Sequence, residues 1–343
     1  SLVDGAAWTL TPVISTVAGA GGAPSVSVSV LRDRTTGRTV NPGLRDDGPT
    51  FPFGHTAEIE AVVTGKLPAG ARVAWVIDGV VHRDGDLTGG AASLFLGQHE
   101  RPRAHRWDAI CHLVEARIVV GPLQDAAWLG QPAEVVVCWA PDKVVPVHAI
   151  DFTPGGLASD WGAILEQLNG HFVGTAVRFE FAPGQPEWVD RLTPPRYRLV
   201  EVPAVSGLPG SVSHSGSLVD LVDGSPRGAL GGVPGALTVY RHVRLPTGLL
   251  GLATGAFKVL DAFSMVPTYD IGGRWAGTIV LGMGSPDFGQ TLAHEAGHVL
   301  GLVHDEHDQS ALMFPSLEVT ALEVDFAEAS KVRGCACALV DSD

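Results

Sequence analysis

Positive charge is scarce in this chain. Its 343 residues carry 23 Lys+Arg against 37 Asp+Glu, a formal net charge of −14. Binding a phosphate backbone or docking on an anionic membrane needs basic patches that such a balance does not supply, so nucleic-acid and membrane partners are not expected. Long apolar runs are missing too, since none reaches the roughly 18 residues of a spanning helix. Cysteine is sparse: the 4 in the chain are Cys111, Cys138, Cys335 and Cys337. That is too few for a fold built on disulfides. A Cys111–Cys138 bridge and a pair of buried thiols are both open readings. Cys335-Ala-Cys337 lacks the partner cysteines of a zinc ribbon and reads as tail. The opening "SLVDGAAWTLTPV" has no basic segment and does not read as an intact signal peptide.

Apolar residues make up 45% of the chain, enough for a sizeable core, and the length points to two domains. Residues 1–50, rich in Gly, Pro, Ser and Thr, read as an N-terminal extension with a first strand in "SVSVSVL" (25–31). Residues 51–143 are strands and turns: "AEIEAVV" (57–63), "RVAWVIDGVVH" (72–82), "LVEARIVVG" (113–121) and "AEVVVCWA" (133–140) are β-branched and bounded by Gly, Pro or Asp. Residues 144–334 change character. "VVPVHAIDF" (144–152) predicts a strand, and "LASDWGAILEQLNGHF" (157–172) carries Leu157, Trp161, Ile164, Leu165, Leu168 and Phe172 at helical spacing. "AVRFEFA" (176–182) predicts a second strand, so this region opens an α/β layer. A stretch dense in Pro, Gly and Ser (183–235) reads as irregular. Strands are then expected in "ALTVYRHV" (236–243), "LLGLATGAF" (249–257) and "AGTIVLG" (276–282). Residues 335–343 are the tail.

Chemistry concentrates in "GSPDFGQTLAHEAGHVLGLVH". Ser285 is the expected N-cap of a helix, with Pro286 in its first turn and Asp287 complementing the helix dipole. Gly301 is the expected stop. His294 and His298, four apart, share one helical face and can hold one ion. Glu295 is turned about 100° from His294, so it is placed to reach a water on that ion rather than to ligate it. A chain that turns back at Gly301 brings His304 in as third nitrogen donor, and three His leave a fourth position for water, the arrangement of a catalytic zinc site. With 13 His and 43 Gly in the chain, a chance match to HExxHxxGxxH is on the order of 10⁻⁴, so the pattern is read as a site. His99, His105 and His112 have no spacing that fits a helix-borne site and are expected at the surface.

"HEAGHVLGLVH" resembles the zinc-binding signature of the metzincin clan of metallopeptidases, and "SALMFP" (310–315) resembles the methionine turn of its matrixin branch, with Met313 as the turn methionine. The strand, helix and strand of 144–182 are similar to the opening of a metzincin catalytic domain. "GLLGLATGAF" resembles its rim strand. The resemblance spans about 145–330; Asp305 after the third histidine is adamalysin-like, and the strand order is pappalysin-like. "GHTAEIEAVVTG" followed by "VAWVIDG" resembles strands of a bacterial immunoglobulin-like domain, with Trp75 at its buried tryptophan.

The fold these likenesses imply is multidomain. An all-β immunoglobulin-like sandwich precedes a C-terminal α/β (α+β) zincin domain with a twisted mixed sheet and an active-site helix. The implied activity is that of a zinc-dependent endopeptidase, secreted and monomeric, acting on protein or peptide substrates. Glu295 would be general base and then acid. Asp305 would support His304, Leu252 and Ala253 would offer rim-strand backbone, and Phe314 and Pro315 would wall the pocket beyond the scissile bond. The implied cofactor is one catalytic Zn²⁺; calcium is left open but nothing calls for it. No cysteine-switch motif is present. "RDGD" (83–86) resembles an aspartate switch only faintly, so residues 51–143 read as an accessory module, with a prodomain as the alternative. Two rival readings stand beside this one. A gluzincin-type peptidase would use Glu318 as third ligand. A zinc fold without turnover would only bind.

Overall fold

The computed structural model describes residues 24–41, 48–98, 104–106, 109–123, 127–201, 217–222, 233, 235–254, 257–259, 265–267, 277–302, 304, 311–313 and 332. The protein is mostly β-sheet, with two α-helices among the described residues and several sheets of parallel and antiparallel strands. It divides into two compact units: Ser1–Val40 with Leu44–Ala140, and Asn41–Gly43 with Pro141–Asp343.

The first unit holds β1 (Ser25–Asp33), β2 (Thr50–Pro52), β3 (Thr56–Thr64), β4 (Ala71–Ile77), β5 (Val80–Gly85), β6 (Ala91–Gly97), β7 (Ala104–Arg106), β8 (Ala109–Val120) and β9 (Ala127–Ala140). One sheet is β1-β3-β6; the other runs β2-β9-β8-β4-β5, with β7 beside β8. Alternation decides what faces inward: Val26, Val28 and Val30 of β1, Ile59 and Ala61 of β3, and Leu94 and Leu96 of β6 are buried. Trp75 and Trp139 are wholly enclosed, and the Trp139 indole donates to the His55 carbonyl (2.9 Å). The stretch 72–82, expected as one strand, is a hairpin. Asp78 (φ 52°) and Gly79 (φ 82°) both take positive φ, the two-residue turn that Asp-Gly favours between twisted strands. Cys111 and Cys138 face each other across β8 and β9 and are disulfide-bonded. His112, expected at the surface, is fully buried; its Nδ1 meets Asp78 Oδ2 at 2.6 Å, and that pairing offsets the cost of enclosing it. Asp84 of "RDGD" pairs with Arg72. His99 lies outside the described residues, as does the His105 side chain.

The second unit holds β10 (Lys143–Asp151), α1 (Trp161–His171), β11 (Val177–Phe181), β12 (Glu187–Trp188), β13 (Arg196–Glu201), β14 (Ser217–Val222), β15 (Leu237–Val243), β16 (Gly251–Thr254), β17 (Phe257–Val259), β18 (Met265–Pro267), β19 (Gly277–Gly282) and α2 (Phe288–Val299). Its main sheet runs β11-β10-β15-β19-β16, with β12 beside β10. β10, β11, β15 and β19 are mutually parallel, and β16 runs antiparallel to β19. β15 and β19 are buried almost throughout, as parallel strands enclosed on both faces must be. The stretch 183–235 is more regular than expected, because β13 and β14 pair as an antiparallel ribbon within it.

The first helix starts at Trp161, later than its apolar spacing suggested, and Leu157 stands exposed ahead of it. Asp151, at the end of β10, decides this. Its fully buried carboxylate accepts from the Thr153 amide and hydroxyl, the Ala158 amide and the Trp161 indole, which winds 152–160 into a turn. Burial alone would raise its pKa, but these donors together outweigh that and hold the carboxyl below its ordinary value. Asn169 of α1 brackets Phe179 of β11 through that residue's amide and carbonyl. Arg241 of β15, nearly buried, forks onto Asp160 ahead of α1 and lies over the Phe288 ring at the start of α2 (4.1 Å). Both helices are thereby tied to one strand. α2 packs against β16 and β19.

Candidate metal centre

α2 begins at Phe288 with Asp287 as its cap, two residues later than the expected Ser285. The Asp287 carboxylate accepts from the Gln290 amide (2.9 Å), which the shorter Ser285 hydroxyl is too far back to do. The Ser285 hydroxyl instead meets the Thr291 hydroxyl (2.7 Å). The far end of the helix is where the sequence placed it. Val299 is the last helical residue, and Gly301 turns at φ +86°. The Gly301 amide donates to the His298 carbonyl, and the Leu302 amide to the Gly297 carbonyl. Those two bonds make a Schellman motif, which a residue with a side chain at 301 would adopt only under strain.

The turn brings His294, His298 and His304 together, with one ligand atom from each lying within 4.8 Å of the others. His294 Nε2 is 3.3 Å from His304 Nε2, and His298 Nε2 is 3.1 Å from it. An ion bonded to nitrogen at roughly 2.0–2.1 Å with tetrahedral angles sets its ligands about 3.3–3.4 Å apart, so the spacing fits such an ion. His294 Nδ1 meets the Leu312 carbonyl at 2.9 Å, and His298 Nδ1 meets the Leu302 carbonyl at 3.0 Å. A carbonyl only accepts, so both Nδ1 atoms carry the proton and both Nε2 atoms turn lone pairs inward. Backbone carbonyls orient metal-binding imidazoles in this way.

Burial lowers the His294 pKa, with the His304 charge adding to it and the Leu312 carbonyl opposing. Burial takes His298 down to about 4, helped by the neighbouring imidazoles and resisted by the Leu302 carbonyl. Both rings are therefore neutral near pH 7, the form that binds metal. The three-histidine group can hold a metal ion.

Glu295 lies on the adjoining face, buried against β16. Burial pushes its carboxyl up to about 8, although the Ala253 amide donates to it. A cation at the neighbouring imidazoles would pull that value down. Met313 is fully buried, and its Sδ is 2.5 Å from where a Cβ on Gly297 would stand. The segment 311–313 therefore packs onto α2 at the residue before His298 and presents the Leu312 carbonyl to His294.

The remaining sequence-derived residues divide. Ala253 presents its amide to Glu295. The Leu252 side chain turns elsewhere, packing on the cluster of Phe152, Tyr240, Val243 and Val280, so it contributes backbone at most. Asp305, Phe314, Pro315 and Glu318 lie outside the described residues, as do Cys335 and Cys337. Sequence reading missed the Leu312 and Leu302 carbonyls and Gly251. No side-chain signal marks a carbonyl, and a glycine in a Gly-rich chain stands out only once its neighbours are known. Among the described residues, no helix is long and apolar enough to cross a membrane. No protein-family model matches the chain, and no curated protein matches it.

Proposed function

We propose that the second unit is a metzincin-like catalytic domain and that the chain is a zinc-dependent endopeptidase. The observation that carries this reading is the convergence of three imidazole Nε2 atoms beside a buried glutamate. Three nitrogen donors, two of them with oriented Nδ1 atoms, suit zinc, and zinc held by His294, His298 and His304 would polarise a scissile carbonyl and acidify water. Glu295 takes a proton from the attacking water on a carboxylate oxygen and returns it to the leaving amine. The Ala253 amide restrains that carboxylate, and the Leu312 and Leu302 carbonyls hold two of the rings in register. The outer backbone edge of β16 is the place for an extended peptide. Meeting the other two rings at 3.1 and 3.3 Å, His304 is favoured over Glu318 as third ligand.

The first unit is proposed as an immunoglobulin-like accessory module. Two sheets and the enclosed Trp75 support this, whereas a bridge joining neighbouring strands of one sheet departs from that family's pattern. The bridge also favours an oxidising compartment, in line with secretion.

Cleavage of casein, followed by mass spectrometry of the fragments, tests the proposal. Zinc-loaded wild type is compared with Glu295→Ala at equal zinc content. Cleavage by the wild type alone is expected; equal cleavage by both would remove Glu295 from the mechanism. Casein left intact by both would sink the endopeptidase reading for unstructured chains and leave a metal-binding fold without turnover.

A further inference from the structure

Gly251 opens β16, and nothing in its backbone calls for glycine. It is not among the residues with positive φ, and in an extended strand glycine is a poor choice on propensity grounds. What it does lack is room. A Cβ at 251 would stand 2.6 Å from Glu295 Oε1, 2.8 Å from Glu295 Cγ and 2.8 Å from Thr291 Cγ2. Real Cβ contacts are not that short, so any side chain at 251 must displace the glutamate, the threonine or the strand. Glu295 has little freedom to give way, because it is buried and its carboxylate is restrained by the Ala253 amide two residues along the same strand. Thr291, one helical turn before Glu295, is likewise fixed, with its hydroxyl on the Asp287 carbonyl (2.8 Å) and against the Ser285 hydroxyl.

We propose that Gly251 is a positioning residue for the reaction: the missing side chain forms the seat in which the Glu295 carboxylate rests against the edge strand, one residue from the imidazole of His294. This inference rests on the proteolytic reading of the site. The three atoms nearest a Cβ at 251 belong to Glu295 and Thr291, not to the three imidazoles. Its effect therefore passes through Glu295 and leaves the metal in place. A shift of the base by about 1 Å is enough to lower turnover ten- to a hundredfold.

The test uses the full chain with three substitutions: Gly251→Ala and Thr291→Ser, alone and combined, and Glu295→Ala in each background. Thr291→Ser removes the methyl that meets the new Cβ and keeps the hydroxyl. Gly251→Ala should hold one zinc per chain, keep KM on labelled casein within about twofold, and lose kcat about ten- to a hundredfold. Adding Thr291→Ser should recover only part of the melting temperature and none of the kcat, because the contact with Glu295 persists. The second readout needs neither metal nor activity. In metal-free protein carrying Thr291→Ser, Gly251→Ala should lower the melting temperature when Glu295 is present and much less when it is alanine. Unchanged kcat in Gly251→Ala, recovery of kcat together with stability, or equal melting losses in the two backgrounds would each overturn the inference. Lack of cleavage by the wild type would sink the proteolytic reading and the positioning role with it, while the melting cycle would still decide whether Gly251 seats Glu295.

Discussion

Gly297→Ala should damage the candidate metal centre from beneath. The added Cβ would stand 2.5 Å from Met313 Sδ, 3.3 Å from Leu302 Cδ1 and 3.4 Å from Met313 Cε. Ordinary contact begins near 3.5 Å, so the sulfur must retreat by about 1 Å. Met313 is fully buried, so it cannot swing into solvent. Overfilling a packed site of this kind costs about 1–3 kcal/mol, and the flexibility of methionine places the expectation in the lower half of that range. The displaced segment also carries the Leu312 carbonyl, which orients His294. Loosening such a partner weakens metal binding about 10- to 100-fold, and tenfold is the fitting figure for a bond strained but not removed. Urea unfolding of the metal-free protein and zinc competition against a chelating dye measure the two effects separately. Combination with Met313→Ala should relieve most of the added cost. Unaltered zinc affinity together with unaltered stability would refute the claim that Met313 supports α2 and its histidines.

Three further outcomes are expected. Asp151→Ala leaves the Trp161 indole and the Thr153 and Ala158 amides without their acceptor, and should cost about 3 kcal/mol or more by urea unfolding. Because the folded pKa of Asp151 is below 3.8, its stabilisation is present above that value and is lost as pH falls from there through the lowered folded pKa. Wild type should therefore lose more stability than Asp151→Asn across that window, and parallel acid profiles would count against the reading. Replacing Cys111 and Cys138 by alanine opens a link spanning 27 residues, worth about 3.5 kcal/mol on chain-entropy grounds; equal midpoints in thermal melts would contradict this. Gly301→Ala, at φ +86°, should cost about 1 kcal/mol and weaken zinc binding through His304, checked by the same dye competition.

Strands were legible where alternation is strong and one face is buried, as in "SVSVSVL" and "AEIEAVV", because a period of two leaves a mark in the residues themselves. Ends of elements were less so. Ser285 and Asp287 are both good capping residues, and the choice between them turns on which side chain reaches the Gln290 amide. The ribbon of β13 and β14 was hidden because its two halves are joined by a long connection dense in Pro, Gly and Ser, and pairing at that distance leaves no local period. His112 was misplaced because its burial depends on Asp78, 34 residues away, and nothing around either residue announces the pair.

The candidate ligand set belongs to the sequence. His294 and His298 on one helical face, a glycine able to reverse the chain, and His304 three residues later are local facts, governed by the helical period and by backbone sterics. What the tertiary structure decided is everything that orients those side chains: the Leu312 carbonyl on His294, the Met313 side chain against Gly297, and the edge strand against which Glu295 rests. These are contacts between segments far apart along the chain, and they exist only once the sheet and the helix have packed, because packing rather than local preference fixes which backbone atoms and which empty spaces face the site.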